Sequence, residues 1–186
     1  RNMFRDNGDF DAHSGDGMFA ETDGVLSASN ITASGNAENG AVLDNTAVGF
    51  TGLRPSLTLA GVNDVSGNAF DGLFFASYGT VSLSNVSADR NGSDGVEGTT
   101  ELGITLSCGS LLQNGAYGLN VTTPEVVVLR GVAAFANAGG EDLHIDAPPV
   151  SEAINQLVPV ARAKVSMRIP PGQDTNAAME ALKAHL

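Results

Sequence analysis

Apolar residues along this chain recur at alternate positions in short bursts, and most bursts follow a glycine. The segments Gly72-Leu-Phe-Phe-Ala76, Gly118-Leu-Asn-Val-Thr122 and Asp142-Leu-His-Ile-Asp146 each place an apolar residue one and three positions after their first member. Alternation with period two is the pattern of a strand with one buried face. A second alternating burst follows a few residues later, as in Thr80-Val-Ser-Leu-Ser84 and Val126-Val-Val-Leu-Arg130. It leads to Asn30, Gly61, Asn85, Cys108 and Gly131 in successive repeats. Asn and Gly tolerate a left-handed backbone at little cost, so this position predicts a sharp, repeated bend. A third short stretch then reaches Asn36, Asn68, Asn91, Asn114 and Asn137, each of which opens an Asn-x-x-x-Gly turn or its counterpart.

The closing positions are Gly17, Gly40, Gly72, Gly95 and Gly118, with Asp142 in the equivalent place, at intervals of 23, 32, 23, 23 and 24 residues. The one long interval holds an insertion over 45–55. About 23 residues carrying three short strands and three turns make one coil of a solenoid. The expected fold is therefore all-β, a right-handed single-stranded parallel β-helix of about five to six coils over 1–147. Strands of adjacent coils would pair at about 4.8 Å, and Asn side chains in register would hydrogen-bond along the stack. A propeller blade needs about 40–45 residues and a leucine-rich repeat needs a Leu/Asn consensus that is absent here. Of the Gly/Asp nonapeptides of calcium-binding β-rolls, only 139–146 carries a faint trace.

Past residue 147 the repeat stops. Residues 148–186 are expected to form a C-terminal cap or linker, with a helix over 175–185 capped by Asp174 or Thr175 and with Met179, Leu182 and Leu186 on one face. A solenoid end exposes unpaired strand edges, which favours the cap over a docking peptide or a linker to another domain.

Composition agrees with a turn-rich β protein: 23 glycines in 186 residues, no Trp, and only 16% charged residues. Charge is divided unevenly. Residues 1–147 hold five Arg and eighteen acids (5 − 18 = −13), whereas 148–186 hold four bases and three acids (+1). A body this acidic repels nucleic acid and anionic membranes, so neither is an expected partner. The single cysteine, Cys108, excludes an internal disulfide framework. No apolar run approaches the ~18 residues of a membrane span. The chain opens in mid-pattern at Arg1, as a fragment of a longer secreted protein would.

Coils such as Asn91-Gly-Ser-Asp-Gly-Val-Glu-Gly-Thr99 and Asn114-Gly-Ala-Tyr-Gly-Leu-Asn-Val-Thr122 resemble the right-handed parallel β-helix repeat family. That group includes pectate lyases, mannuronan C5-epimerases and many secreted surface proteins. The resemblance covers about residues 2–147, and it implies that any substrate lies along one outer strand face. If positions one and three after each closing residue point inward, positions two and four form that face. The first outer row is Phe19, Val42, Phe74, Glu97, Asn120 and His144; the second is Glu21, Asp44, Ala76, Thr99, Thr122 and Asp146.

Within these rows Phe19, Phe74, Glu97, Asn120 and His144 are candidate ligand-binding residues, since aromatic faces suit sugar rings. Phe19, Val42 and Phe74 would leave an apolar patch unless the insertion covers it with Phe50 and Leu53. Glu21 and Asp44 would be neighbours on adjacent coils, roughly 5 Å apart, close enough to share a proton or a calcium ion. Phe10-Asp-Ala-His13 is similar to the Asp-Pro-His motif of the epimerases, with Ala12 in place of Pro, which implies catalytic roles for Asp11 and His13. Arg54, Arg90 and Arg130 occupy different coil positions, unlike the basic residue beside calcium in lyases of this fold. The sequons at Asn30, Asn85, Asn91 and Asn120 arise naturally in a repeat rich in Asn, Ser and Thr.

Two functions follow as expectations. The first is a non-catalytic extracellular or cell-surface module, adhesive or scaffolding, binding glycan along the outer face and open to end-to-end stacking with a neighbouring domain or subunit. The second is a lyase, epimerase or hydrolase of a uronate-containing glycan, with Asp11, His13, Glu21 and Asp44 as its catalytic set and calcium as a bridging ion.

Overall fold

Strand follows strand with no helix among the described residues. The computed structural model describes the backbone of residues 2–5 and, in full, 15–46, 52–139 and 142–146. The chain divides into two units, Arg1–Glu152 and Ala153–Leu186. The cap and the helix expected over 175–185 lie outside the described residues.

Among the described residues seventeen strands, numbered β1 to β17 in chain order, form three sheets in which every pair is parallel. The first sheet follows the closing glycines: β2 (Met18–Glu21), β5 (Ala41–Asp44), β8 (Leu73–Ser77), β11 (Val96–Thr100), β14 (Leu119–Thr122) and β17 (Leu143–Asp146). The second holds β3 (Leu26–Ser29), β6 (Leu57–Ala60), β9 (Val81–Ser84), β12 (Ile104–Ser107) and β15 (Val127–Arg130). The third holds β1 (Asn2–Arg5), β4 (Ile31–Ser34), β7 (Asn63–Asp64), β10 (Val86–Ser87), β13 (Ser110–Leu112) and β16 (Ala133–Phe135). The chain is a parallel β-solenoid of about five turns, as its period requires. Register runs Met18↔Ala41↔Leu73↔Val96↔Leu119↔Leu143, so the two outer rows read from the sequence stand as aligned rows.

The interior is filled by inward positions of all three sheets, among them Leu43, Phe75 and Val121 from the first, Leu59, Leu83 and Leu106 from the second, and Ile31, Val86 and Leu111 from the third. At the second inward position of β11 stands Gly98. A Cβ there would lie 2.5 Å from Phe75 Cδ1, so the ring of one coil occupies the space left empty in the next. The insertion falls between β5 and β6, and its base is tied by Asn45 Nδ2 donating to Pro55 O at 2.9 Å.

Two bends per coil are left-handed. The first falls where expected, at Asn30, Gly61, Asn85, Cys108 and Gly131, with φ between 49° and 76°. The second was not legible: Gly35, Gly67, Arg90, Gln113 and Ala136, each immediately before a ladder asparagine, have φ of 55° to 73°. Three of these five are neither Gly nor Asn, so composition hides the position.

The asparagines form a continuous buried ladder. Asn36, Asn68, Asn91 and Asn114 each donate both the backbone N–H and Nδ2 to the Oδ1 of the next, at 2.8–3.1 Å, ending on Asn137. The closing glycines are explained by this ladder and not by backbone freedom, because none of them has positive φ. A Cβ on Gly95 would meet Gly118 O at 2.6 Å and Asn114 Nδ2 at 2.8 Å, and its counterparts meet the same groups. Each glycine is the seat of the next coil's amide.

Asn91→Ala removes the acceptor of the buried Asn68 N–H, and an orphaned buried donor adds to the loss of the bonds themselves. We expect a stability loss of about 2–4 kcal/mol, read as a lowered urea midpoint at unchanged m-value.

Candidate functional site

The residue just before each closing glycine builds a second ladder. Asp16, Asn39, Asp71, Asp94 and Tyr117 occupy this place. Asp16 Oδ1 accepts the N–H of Asn39, Asn39 Oδ1 that of Asp71, Asp71 Oδ1 that of Asp94, and Asp94 Oδ1 that of Tyr117, at 2.7–3.0 Å. Donors here belong to the later coil, whereas in the asparagine ladder they belong to the earlier one. The two ladders therefore run in opposite senses along the same corner.

This second ladder brings two buried carboxylates beside the outer row of the first sheet. Asp71 is 7% exposed and Asp94 3%. Glu97, three residues past Asp94, sits on β11 between Phe74 and Asn120 of the neighbouring strands. One carboxylate oxygen from each of Asp71, Asp94 and Glu97 lies within 4.8 Å of the other two. Burial of Glu97 pushes its pKa from an ordinary 4.5 to about 7, helped by its hydrogen bond to Asp71 and by the negative charges of Asp71 and Asp94. A proton thus does at neutral pH what a cation would otherwise have to do, namely relieve the repulsion of three close carboxylates. Their oxygens are also the donor type that hard cations such as calcium take.

Aromatic groups border the cluster. Tyr117 lacks the short-chain Oδ1 by which Asp and Asn pass the second ladder on, and its ring stacks on His144, centroids 5.1 Å apart at an interplanar angle of 25°. Asn120 lies between, donating Nδ2 to Asp94 Oδ2 at 2.9 Å. Phe74 is half-buried in the same row, and Phe70 is exposed on the turn before β8.

Of the residues singled out from the sequence, Phe74, Glu97, Asn120 and His144 come together in one row, with Phe19 at its far end and 40% exposed. Glu21 and Asp44 are register partners as expected. Glu21 is exposed, and Asp44 Oδ1 accepts both the N–H and Oγ1 of Thr46 at 2.6 Å, a local turn closure. Among the described residues a three-carboxylate cluster forms at Asp71, Asp94 and Glu97. Asp11 and His13 lie outside the described residues, as does Phe50. Val42, between Phe19 and Phe74 in the outer row, is only 6% exposed, as a covered patch requires at that residue. Leu53 of the insertion is 69% exposed. Asp71 and Asp94 were missed because they precede the strands and belong to no alternating pattern. Their signal was an acceptor side chain before four of five closing glycines.

No family model, no curated protein and no solved structure matches the chain.

Because Glu97 holds its proton more tightly folded than unfolded, its protonated form favours the native state. This contribution is fully present below about pH 4.5 and is lost as pH rises toward about 7. Thermal melts across that window should show this decline in wild type and a flatter profile in Glu97→Gln.

Proposed function

We propose that this chain is a non-catalytic β-solenoid module of an extracellular surface, adhesive or scaffold protein, and that it holds a glycan along the outer face of its first sheet. The observation behind the proposal is the Tyr117–His144 stack set beside Asn120 and Glu97 on parallel strands. Aromatic rings present an apolar body for a sugar face, and neighbouring amide and carboxyl groups suit its hydroxyls. Strands repeating at about 4.8 Å give an extended ligand a regular row of contacts along the stack. The binding row is Phe74, Glu97, Asn120 and His144, with Phe19 farther along and Tyr117 added from the preceding turn. Kinship with the β-helix repeat family, pectate lyases and epimerases included, belongs to the proposal at the level of the coil pattern alone.

A catalytic alternative, a lyase, epimerase or hydrolase of a uronate-containing glycan, draws on Glu97, whose proton persists near neutral pH beside two carboxylates. Against it stand the commitments of the partners. Asp94 has its two oxygens engaged by Tyr117 N–H and Asn120 Nδ2, and Asp71 Oδ1 holds the N–H of Asp94. Groups that build the corner are poorly placed to act as nucleophile or base.

Proton NMR of the protein with neutral and uronate polysaccharides, with and without calcium, separates the two. Binding should shift the Tyr117 and His144 ring resonances and leave the glycan unchanged. Tyr117→Ala should weaken binding about tenfold, the scale of one lost aromatic stacking contact. Unsaturated ends, cleavage or C5 inversion would replace the module with the enzyme. A panel in which nothing binds folded protein would remove glycan from the proposal.

A further inference from the structure

Asn-Gly pairs recur along the chain, and Asn39-Gly40, Asn91-Gly92 and Asn114-Gly115 lie among the described residues. Packing dictates the glycine in each. A Cβ on Gly40 would collide with the carbonyl of Gly72, one on Gly92 with that of Ala69, and one on Gly115 with that of Gly92. An Asn-Gly pair is also the link most open to attack on itself, because glycine adds neither bulk nor a φ restriction at the attacking nitrogen. That nitrogen bonds to the asparagine Cγ, and Nδ2 departs as ammonia with the proton the glycine nitrogen gives up. One water then opens the resulting succinimide, leaving an aspartate or an isoaspartate. The stack thus requires a chemically labile dipeptide at several corners, and it does not guard them equally.

Hydrogen bonding of the nucleophile does not separate them. Gly40 N–H donates to Asp71 O at 2.9 Å, Gly92 N–H to Asn68 O at 2.8 Å and Gly115 N–H to Asn91 O at 2.9 Å, so each pair must open locally before it reacts. The side-chain amides do separate them. Asn91 and Asn114 are 3% and 2% exposed, and their Nδ2 groups donate to Asn114 Oδ1 at 3.1 Å and Asn137 Oδ1 at 3.0 Å. Loss of either nitrogen breaks the ladder, and the oxygen left in its place would face another oxygen in a buried corner. Asn39 is half-buried; its Oδ1 accepts the N–H of Asp71 at 3.0 Å, and its Nδ2 donates to no group among the described residues. Carboxylates perform the same task in the same row at Asp16, Asp71 and Asp94. An aspartate at 39 would keep the acceptor on which the second ladder depends.

We propose that Asn39 is a site of spontaneous deamidation in the folded protein, whereas Asn91 and Asn114 are preserved for as long as the asparagine ladder stands. In the aspartate product the second ladder becomes an unbroken run of carboxylates at 16, 39, 71 and 94. The new charge falls between Asp16 and Asp71 on neighbouring coils, so ageing makes this corner more acidic while its hydrogen bonds stay in place.

The test incubates the full chain at mildly alkaline pH, native and in urea, and follows each asparagine by mass spectrometry of its peptides. In native protein Asn39 should be converted at least about tenfold faster than Asn91 or Asn114, which react only when the buried ladder opens. In urea the three rates should converge. Asn39→Asp, standing in for the product, should keep the wild-type urea midpoint, and Asn91→Asp should lower it. Conversion of Asn39 no faster than that of the two ladder asparagines in native protein overturns the proposal. So does a ranking that survives in urea, since it would assign the difference to local sequence instead of the fold. A drop in midpoint for Asn39→Asp as large as that for Asn91→Asp would remove the claim that a carboxylate can replace this amide.

Discussion

The structure depends on one interaction repeated down a corner: a buried asparagine whose carboxamide oxygen receives two N–H groups from the coil before it. Turn backbone inside a solenoid has no strand neighbour to pair with, and a buried donor left alone costs about 1–3 kcal/mol. The side-chain amide meets that need and leaves its own NH2 to satisfy the next member. Glycine at the closing position follows from this arrangement, since a methyl group there would sit on the incoming amide. The left-handed residue before each asparagine turns the chain so that the amide faces along the stack. Three features that look separate in the sequence are thus one requirement.

The second ladder connects scaffold and surface. Asp71 and Asp94 are needed as acceptors inside the corner, and the strand that follows places Glu97 next to them. Crowding of carboxylates at this point is a by-product of holding the turns, and the proton on Glu97 is how the structure lives with it. Where the ladder runs out of Asp and Asn, at Tyr117, an aromatic ring takes the position and meets His144. Proposed binding face and structural corner therefore share residues, so a change at Asp94 would disturb both turn and surface, whereas His144 belongs to the surface alone.

Much of the fold was legible because two residue types recur in register. Gly17 to Gly118 and Asn36 to Asn137 give the coil length, the three strands and the buried ladder directly. The outer row from Phe74 to His144 was legible for the same reason, since alternation fixes which side chains face out. What escaped notice was written in mixed residue types. The bend at Gly35, Gly67, Arg90, Gln113 and Ala136 is one conformation spelled four ways. The acceptor row of Asp16, Asn39, Asp71 and Asp94 mixes an amide with carboxylates and lies off the strand pattern. Val42 stayed open as a choice between exposed and covered, because position in a row says which way a side chain points and not what else packs over it.

The insertion at 45–55 carries a lesson about length. Asn36 and Asn68 are 32 residues apart, Asn91 and Asn114 only 23, yet their side chains bond at 2.9 and 3.1 Å. The ladder registers arrivals and ignores the route between them. At the junction of β5 and β6, tied at its base by Asn45 and Pro55, the chain is free to digress without losing its place. That corner works as a parenthesis in an otherwise metrical text, where new words enter without disturbing the metre on either side.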